Sequence, residues 1–171
     1  MSPGDLMAQL EELHAAAFGW AMSCCGWDRT AAEDVLQATY LKLLDGRARF
    51  DGRSSFRTFV FGVIARTARE ERRRAALRRW LPLASLLLGP EAVDGRPDPA
   101  TALVRADEAA RLVRALGRLS ARQRQVLHLV FYEDLTIAQT AVVLGVSLGT
   151  ARTHYERGKA ELRSLLEREG E

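Results

Sequence analysis

The sequence predicts an all-α protein in which two small helical domains are joined by a flexible linker, the C-terminal domain being a helix-turn-helix. Helix-start signals recur along the chain, whereas an alternating strand pattern of useful length is absent. Four of the five prolines fall between two helix-rich parts, where they interrupt helices. We therefore place the first domain at residues 1–79, the linker at residues 80–107 and the second domain at residues 108–171.

The first two helices of the N-terminal domain are predicted from composition and caps. The first covers about Gly4 to Ser23. Thr30 and Glu33 have the spacing of a capping box, in which each side chain bonds a free backbone N–H, so a second helix is expected from there to about Leu44. Its apolar face consists of Ala32, Leu36, Tyr40 and Leu43.

The third helix is predicted to start with aromatic residues and to end rich in arginine. Ser54 or Ser55 caps it, and it runs toward Arg79. Aromatic rings stack on unpaired bases and guanidinium groups hold the backbone, so this composition suits a single-strand binder. The interleaved residues are Phe50, Phe56, Phe59 and Phe61 with Arg49, Arg53 and Arg57.

The same aromatic residues also fit an ordinary core. Phe56, Val60 and Val63 recur at helical spacing, which favours burial over contact with a ligand. Phe50 lies in the preceding loop and Phe59 lies off that stripe, so both interpretations stay open for these two rings.

The C-terminal segment has the pattern of a helix-turn-helix, which indicates double-stranded DNA as the partner. Gly145 ends one helix and Ser147 caps the next. Two capping boxes precede this turn, Ser120 with Gln123 and Thr136 with Gln139. The last helix has an apolar stripe of Leu148, Ala151, Tyr155, Gly158, Leu162 and Leu165.

The opposite face of that last helix carries the side chains that contact bases and phosphates. These are Arg152, Thr153, Glu156, Arg157 and Lys159. An amphipathic helix with an ordinary solvated surface is the alternative. DNA contact is favoured because the caps, the turn and this face agree with one another.

Charge alternates in blocks along the chain, although the net charge is only +3. Residues 5–45 carry −5, residues 47–79 carry +8, residues 80–110 carry −3 and residues 111–168 carry +5. A protein that merely coats nucleic acid would be basic throughout. At least one acidic surface is therefore expected to bind a protein partner.

Composition argues against several other classes of protein. Cys24 and Cys25 are adjacent, so no disulfide framework is indicated, and the scattered histidines argue against a metal site. We find no motif for a catalytic site or a cofactor. The apolar run Trp80–Leu88 is about half as long as a membrane span, so we expect a cytoplasmic protein without membrane insertion. This run is interpreted as core between the domains or as a docking strip.

Three motifs in this order resemble the extracytoplasmic-function (ECF) group of bacterial RNA polymerase sigma factors. They are AEDVLQATYLKLL (residues 32–44), FDGRSSFRTFVFGVIART (residues 50–67) and the helix-turn-helix (residues 119–162). The resemblance implies a promoter-recognition subunit with no enzymatic activity of its own. Its partners are then core polymerase (β and β′ subunits), promoter DNA in double-stranded and single-stranded form, and an anti-sigma factor.

The resemblance also implies roles for individual positions. The helix over residues 32–44 docks on the polymerase through Asp34, Gln37 and Tyr40. The −10 element, with its flipped bases, is bound by Phe50, Arg53, Ser54, Ser55, Phe56, Phe59, Arg66, Arg69 and Arg73. The −35 element is bound in the major groove by Arg152, Thr153, Glu156, Arg157 and Lys159.

Two other functions fit parts of the sequence. A free-standing regulator with a ligand-sensing N-terminal half shares the helix-turn-helix, but it does not account for the aromatic and arginine-rich loop. A helical adaptor that sequesters another protein leaves the last helix's DNA-contacting face without a purpose.

Overall fold

The computed structural model describes residues 3–80 and 103–168, and no β-strand occurs in these two ranges. The predicted all-α fold class, with two helical parts, is confirmed. The helices are α1 (Pro3–Cys24), α2 (Arg29–Leu44), α3 (Phe56–Trp80), α4 (Leu103–Arg118), α5 (Ala121–Leu127), a π-helical turn (His128–Tyr132), α6 (Ile137–Leu144) and α7 (Leu148–Arg168). They form two compact units, with α1–α3 in the first and α4, α5 and α7 in the second.

The first unit is a three-helix bundle with an aromatic centre. Trp20 of α1 and Phe61 of α3 are both fully buried, and their rings stack with centroids 6.1 Å apart. The Trp20 indole N–H donates to the Phe61 carbonyl at 3.0 Å, which satisfies the one polar atom of the tryptophan side chain. Phe61 is therefore part of the core and is not available to a nucleic acid.

The predicted capping box at Thr30 and Glu33 is wrong. The N-cap of α2 is Asp28, whose side chain accepts from the Ala31 N–H at 3.0 Å, so the helix already starts at Arg29. An aspartate carboxylate is among the strongest N-caps and attracts the positive end of the helix dipole. Glu33 instead pairs with Arg29 at 2.9 Å, one helical turn away.

Four further helix starts follow the sequence. The hydroxyl of Ser55, not that of Ser54, accepts from the Thr58 N–H and caps α3. Ser147 caps α7 in the same way. Both capping boxes of the second unit are confirmed, Ser120 with Gln123 and Thr136 with Gln139. Gly145 has φ +64°, the left-handed conformation expected where the chain turns between α6 and α7.

The core of the second unit lies between α4, α5 and α7. Its buried members are Ala115, Leu119, Leu127 and Leu165. Helix α7 approaches α5 closely at Gly158, because a Cβ atom there would lie 3.2 Å from the Gln123 Cβ. Ala151, Gly158 and Leu165 of the predicted stripe are buried and Tyr155 and Leu162 are partly buried, whereas Leu148 is exposed.

Two elements differ from the pattern expected from the sequence. Helix α4 begins at Leu103, inside the segment predicted as the linker. Helix α5 continues into the π-helical turn, after which Glu133 is buried beside His128 at 3.3 Å. The run Trp80–Leu88 lies outside the described residues apart from Trp80.

Candidate nucleic-acid and protein interfaces

Three phenylalanines pack together where the loop after α2 meets α3. Phe50 lies edge-on to Phe56, with ring centroids 5.6 Å apart, and 5.3 Å from Phe59. The Phe56 and Phe59 centroids are 6.4 Å apart. All three rings are half-buried, while Val60 and Val63 are buried. The core stripe predicted for this helix thus holds for the two valines, and the three rings form a partly accessible aromatic cluster.

The loop beside the aromatic cluster is open to solvent. Asp51, Gly52 and Arg53 are exposed, and the Arg53 side chain pairs with Asp51 at 3.2 Å. The Asp51 carboxylate also accepts from the Arg53 N–H, which shapes the turn. Ser54 is half-buried and donates to the Ser55 carbonyl. A single strand has access to this loop.

The predicted arginines of α3 continue the surface of the aromatic cluster. Phe59, Arg66 and Arg73 are seven residues apart, so they lie along one side of the helix over about 21 Å. Arg66 and Arg73 are exposed. Arg69 lies between them, half-buried, and its Nε donates to the Ala65 carbonyl at 3.2 Å. Rings and cations therefore share a continuous face.

Lys42 was not singled out in the sequence, yet it joins three parts of the first unit. Its ammonium group donates to the Glu70 carboxylate at 2.5 Å and to the Thr67 hydroxyl at 3.0 Å, both on α3. Its carbonyl accepts from the Ala48 N–H at 2.8 Å, in the loop that leads to the aromatic cluster. The hydrogen bond from Lys42 lowers the pKa of Glu70 against the smaller opposing effect of burial.

The outer face of α2 carries the residues predicted to contact the polymerase. Asp34 and Gln37 are exposed, and Leu41 and Leu44 continue their 3–4 spacing with 55% and 47% of their surface exposed. These two leucines were missed in the sequence, although their spacing from Asp34 was visible there. Exposed apolar groups beside a carboxylate are typical of a protein-binding surface.

Tyr40 lies at the border of that face. It is half-buried, and its hydroxyl lies 3.0 Å from the His14 Nδ1. Burial raises the pKa of Tyr40. The hydroxyl is thus a neutral hydrogen-bonding group.

The N-terminal half of α7 presents the predicted DNA-contacting side chains together. Arg152, Thr153, Glu156 and Arg157 are all exposed on this helix. Lys159 is half-buried, with its ammonium group 4.4 Å from the centroid of the Tyr155 ring and 3.3 Å from Glu156.

Two aromatic residues on the π-helical turn were not anticipated. Phe131 and Tyr132 expose 61% and 73% of their surface, and Phe131 stacks on Tyr155 of α7 at 5.8 Å. A π-helical turn rotates the following residues relative to an α-helix, so the 3.6-residue pattern does not predict which side chains become exposed.

Among the residues that the structure describes, no helix has both the length and the apolar character needed to cross a bilayer. The same residues include no group of three or more His, Cys, Asp or Glu side chains arranged to hold a metal ion.

Comparison with known proteins matches each of the two units to a protein family. Residues 10–78 match the family described as Sigma-70 region 2, and residues 109–162 match Sigma-70, region 4. The ECF RNA polymerase sigma factor SigF of Caulobacter vibrioides is 31% identical over 136 residues, covering 80% of this chain and 69% of that protein. The chain belongs to the ECF RNA polymerase sigma factors. This sigma factor therefore directs promoter-specific initiation of transcription, and sigma factors as a class are initiation factors, not catalytic enzymes.

Other relatives agree with this assignment. The sigma factor CnrH of Cupriavidus metallidurans is 27% identical over 167 residues, covering 95% of this chain and 87% of that protein. The structure of the sigma factor RpoE in complex with the anti-sigma factor NepR from Bartonella quintana has a TM-score of 0.71 at 21% identity, covering 95% of this chain and 97% of that one. This likeness concerns the fold. Sigma-70 regions bind core polymerase and promoter DNA, which are the partners of this sigma factor.

Proposed function

We propose that this sigma factor opens its promoter with the aromatic cluster and the arginine face of α3, while α7 binds the −35 element. In this proposal residues 1–79 form the domain that binds core polymerase and the −10 element. Residues 108–171 form the −35-binding domain, and residues 80–107 link the two. The protein acts in the cytoplasm.

The observation that carries this proposal is the position of the aromatic cluster beside exposed cations. Phe50 and Phe59 are half-buried and packed by neighbours, so their rings are held in place before a base arrives. Stacking of one base contributes about 1–3 kcal/mol, which is comparable to the cost of unstacking it from the duplex. Arg66 and Arg73 supply charge for the backbone along the same face. Strand opening then needs no ATP.

The assignment of the −35 element to α7 rests on the hydrogen-bonding groups of the side chains exposed on this helix. Arg152 and Arg157 are exposed and fit a bidentate contact to guanine, Thr153 fits a phosphate or a thymine methyl, and Glu156 accepts from cytosine. Lys159 is held by Tyr155 and Glu156 and suits a phosphate.

We further propose that an anti-sigma protein holds this sigma factor until it is needed. RpoE and CnrH, two of its structural neighbours, were solved in complex with an anti-sigma factor and with the cytosolic domain of CnrY, respectively. The exposed leucines of α2, Leu41 and Leu44, are the surface that both polymerase and such an inhibitor would cover.

Reconstitution with core RNA polymerase and a promoter library tests the proposal. We expect the holoenzyme to open a subset of promoters, and Phe50→Ala to lower strand opening about tenfold at equal core association, as the loss of one stacked base requires. Opening is measured by permanganate reactivity of unpaired thymines. Trp27→Ala, which removes an exposed ring outside the aromatic cluster, is the matched control.

Two results would contradict the proposal. One is strand opening by Phe50→Ala at the level of the Trp27→Ala control. The other is tight duplex binding by the chain alone with no effect of core polymerase, which is the behaviour of a free-standing regulator.

A further inference from the structure

One acidic side chain lies among the arginines of α3 that are proposed to hold the promoter strand. Glu70 is four residues after Arg66 and three residues before Arg73, so it lies within about one helical turn of both. Arg66 and Arg73 are exposed, whereas Glu70 is half-buried. At these spacings a glutamate pairs with an arginine on the same helix, and a paired arginine is a weaker partner for a phosphate. The partner of Glu70 therefore affects how many cations this surface offers to DNA.

The neighbouring glutamate of α3 shows what such a spacing produces. Glu71 pairs with Arg74, three residues later, at 2.7 Å. Glu70 and Arg73 have the same spacing on the same helix. Glu70 pairs instead with Lys42 of α2, and its carboxylate lies 2.5 Å from the lysine ammonium group. The two glutamates thus differ because a second helix supplies a competing cation for one of them.

The Lys42 ammonium group is fixed on the side of α3 that packs on α2. It also donates to the hydroxyl of Thr67, a buried residue three positions before Glu70, at 3.0 Å. The Lys42 side chain is only 24% exposed, so its pair with Glu70 is less screened by salt than a pair on the open surface. The Glu70 carboxylate is therefore drawn toward α2.

Arg66 lies within electrostatic reach of the same carboxylate. The hydrogen bond from Lys42 is the main cause of the lowered pKa of Glu70, and the positive charge of Arg66 lowers that pKa further. Lys42 and the arginines of α3 thus act on one carboxylate, and the lysine holds it through the direct contact.

We propose that Lys42 is a positioning residue for DNA binding, because it holds the Glu70 carboxylate against α2 and leaves Arg66 and Arg73 available to the phosphates of the promoter strand. The proposal rests on the proposed function, which assigns this surface of α3 to the strand. Lys42 itself does not touch the DNA. In its absence Glu70 pairs with Arg73, as Glu71 pairs with Arg74, and the surface loses one cation.

The test measures the binding of a single-stranded, non-template −10 oligonucleotide to holoenzyme by fluorescence anisotropy over a series of salt concentrations. Core polymerase is saturated with each sigma variant beforehand. We expect Lys42→Met to bind about fivefold more weakly at about 50 mM salt and about twofold more weakly at about 200 mM salt. The slope of log affinity against log salt concentration should become shallower by about 0.7, the contribution of one cation on a single strand.

The double variant Lys42→Met with Glu70→Gln separates this electrostatic role from a structural one. Glutamine has no charge with which to capture Arg73, so the double variant should regain the wild-type affinity and slope to within about twofold. Lost packing between α2 and α3 would not be repaired by removing the second partner as well. Lys42→Gln, which retains a hydrogen-bond donor near Thr67, provides a second variant and should behave as Lys42→Met does.

Arg29→Met is the matched control. It removes the same charge from α2 and also deprives a glutamate, Glu33, of the arginine with which it pairs at 2.9 Å. No other arginine or lysine lies three or four residues from Glu33 in the sequence, so the freed carboxylate has no such cation to capture. The control should keep the wild-type affinity and salt slope.

Three results would overturn the role of Lys42. They are wild-type affinity and slope for Lys42→Met, a loss that persists in the double variant, and an equal loss for Arg29→Met, which would show an effect of total charge alone. Phe50→Ala tests the proposed function in the same assay. If Phe50→Ala binds the strand as the wild type does, the proposed function fails and the role of Lys42 with it. If Phe50→Ala weakens binding and Lys42→Met does not, only the role of Lys42 fails.

Discussion

Single residues account for much of the geometry of the first unit, and Lys42 is the clearest case. One side chain bonds Thr67 and Glu70 on α3, and the same residue's carbonyl holds Ala48 in the loop before the aromatic cluster. Lys42 is half-buried, so its ammonium group depends on these partners for the hydrogen bonds lost from water. It positions the α3 face relative to α2.

Replacement of Lys42 by methionine should make the free energy of unfolding less dependent on pH in the acidic range. The pKa of Glu70 is lowered from 4.5, so the pair stabilises the fold above that value, and the contribution is lost as pH falls through the pKa of Glu70. We expect Lys42→Met to cost about 1 kcal/mol at pH 7, a modest value because Glu70 is 39% exposed, and less at pH 3.

Urea unfolding at both pH values measures that difference. Arg29→Met, which breaks the exposed pair with Glu33, is the control and should cost less than about 0.5 kcal/mol. An equal cost of Lys42→Met at pH 3 and pH 7 would mean that Lys42 acts by packing alone.

At the scale of elements, local signals predicted most helix starts, and the errors have local reasons. Ser55, Ser120, Thr136 and Ser147 cap their helices because a hydroxyl within three residues reaches a free N–H. The predicted capping box at Thr30 was wrong because Asp28, a stronger N-cap, lies two residues earlier and starts the helix. The π-helical turn had no such signal in the sequence.

The close approach of α7 to α5 predicts a size limit at Gly158. A Cβ there lies 3.2 Å from the Gln123 Cβ and 3.4 Å from Leu127, so the two methyl groups of a valine would force the helices apart. We expect Gly158→Val to destabilise the second unit by about 2 kcal/mol, as measured by urea unfolding.

Ala160→Val is the control for the Gly158 prediction, because the residue is exposed on the same helix and bears only the helix-propensity cost of about 0.5 kcal/mol. Equal effects of the two substitutions would show that the α5–α7 contact tolerates a larger side chain.

For the molecule as a whole, charge separates the surface proposed to bind protein from the surface proposed to bind DNA. The acidic block at residues 5–45 contains α1 and α2, and the strongly basic block at residues 47–79 contains α3. Leu41 and Leu44 accompany the acidic face, and the half-buried Phe50 and Phe59 accompany the basic one. Core association and strand capture should therefore be separable by mutation.

The double variant Asp34→Arg with Gln37→Ala tests this separation. We expect about a tenfold loss of core polymerase affinity, because a charge is reversed on the exposed face of α2, with no loss of thermal stability. Affinity is measured by competition for core polymerase. Glu161→Arg, an equal charge reversal at an exposed position of the second unit, should keep wild-type affinity. A wild-type affinity for the double variant would remove Asp34 and Gln37 from the docking surface.

The sequence by itself determined most of the helices and their caps, the turn at Gly145 and the family, because these depend on residues within a few positions of one another or on motifs in order. The tertiary structure decided which side chains meet: Lys42 with Glu70, Phe50 with Phe59, and Trp20 of α1 with Phe61 of α3. Such contacts join residues far apart in the chain, and helical periodicity assigns a residue to a face without naming the partner that the face will find.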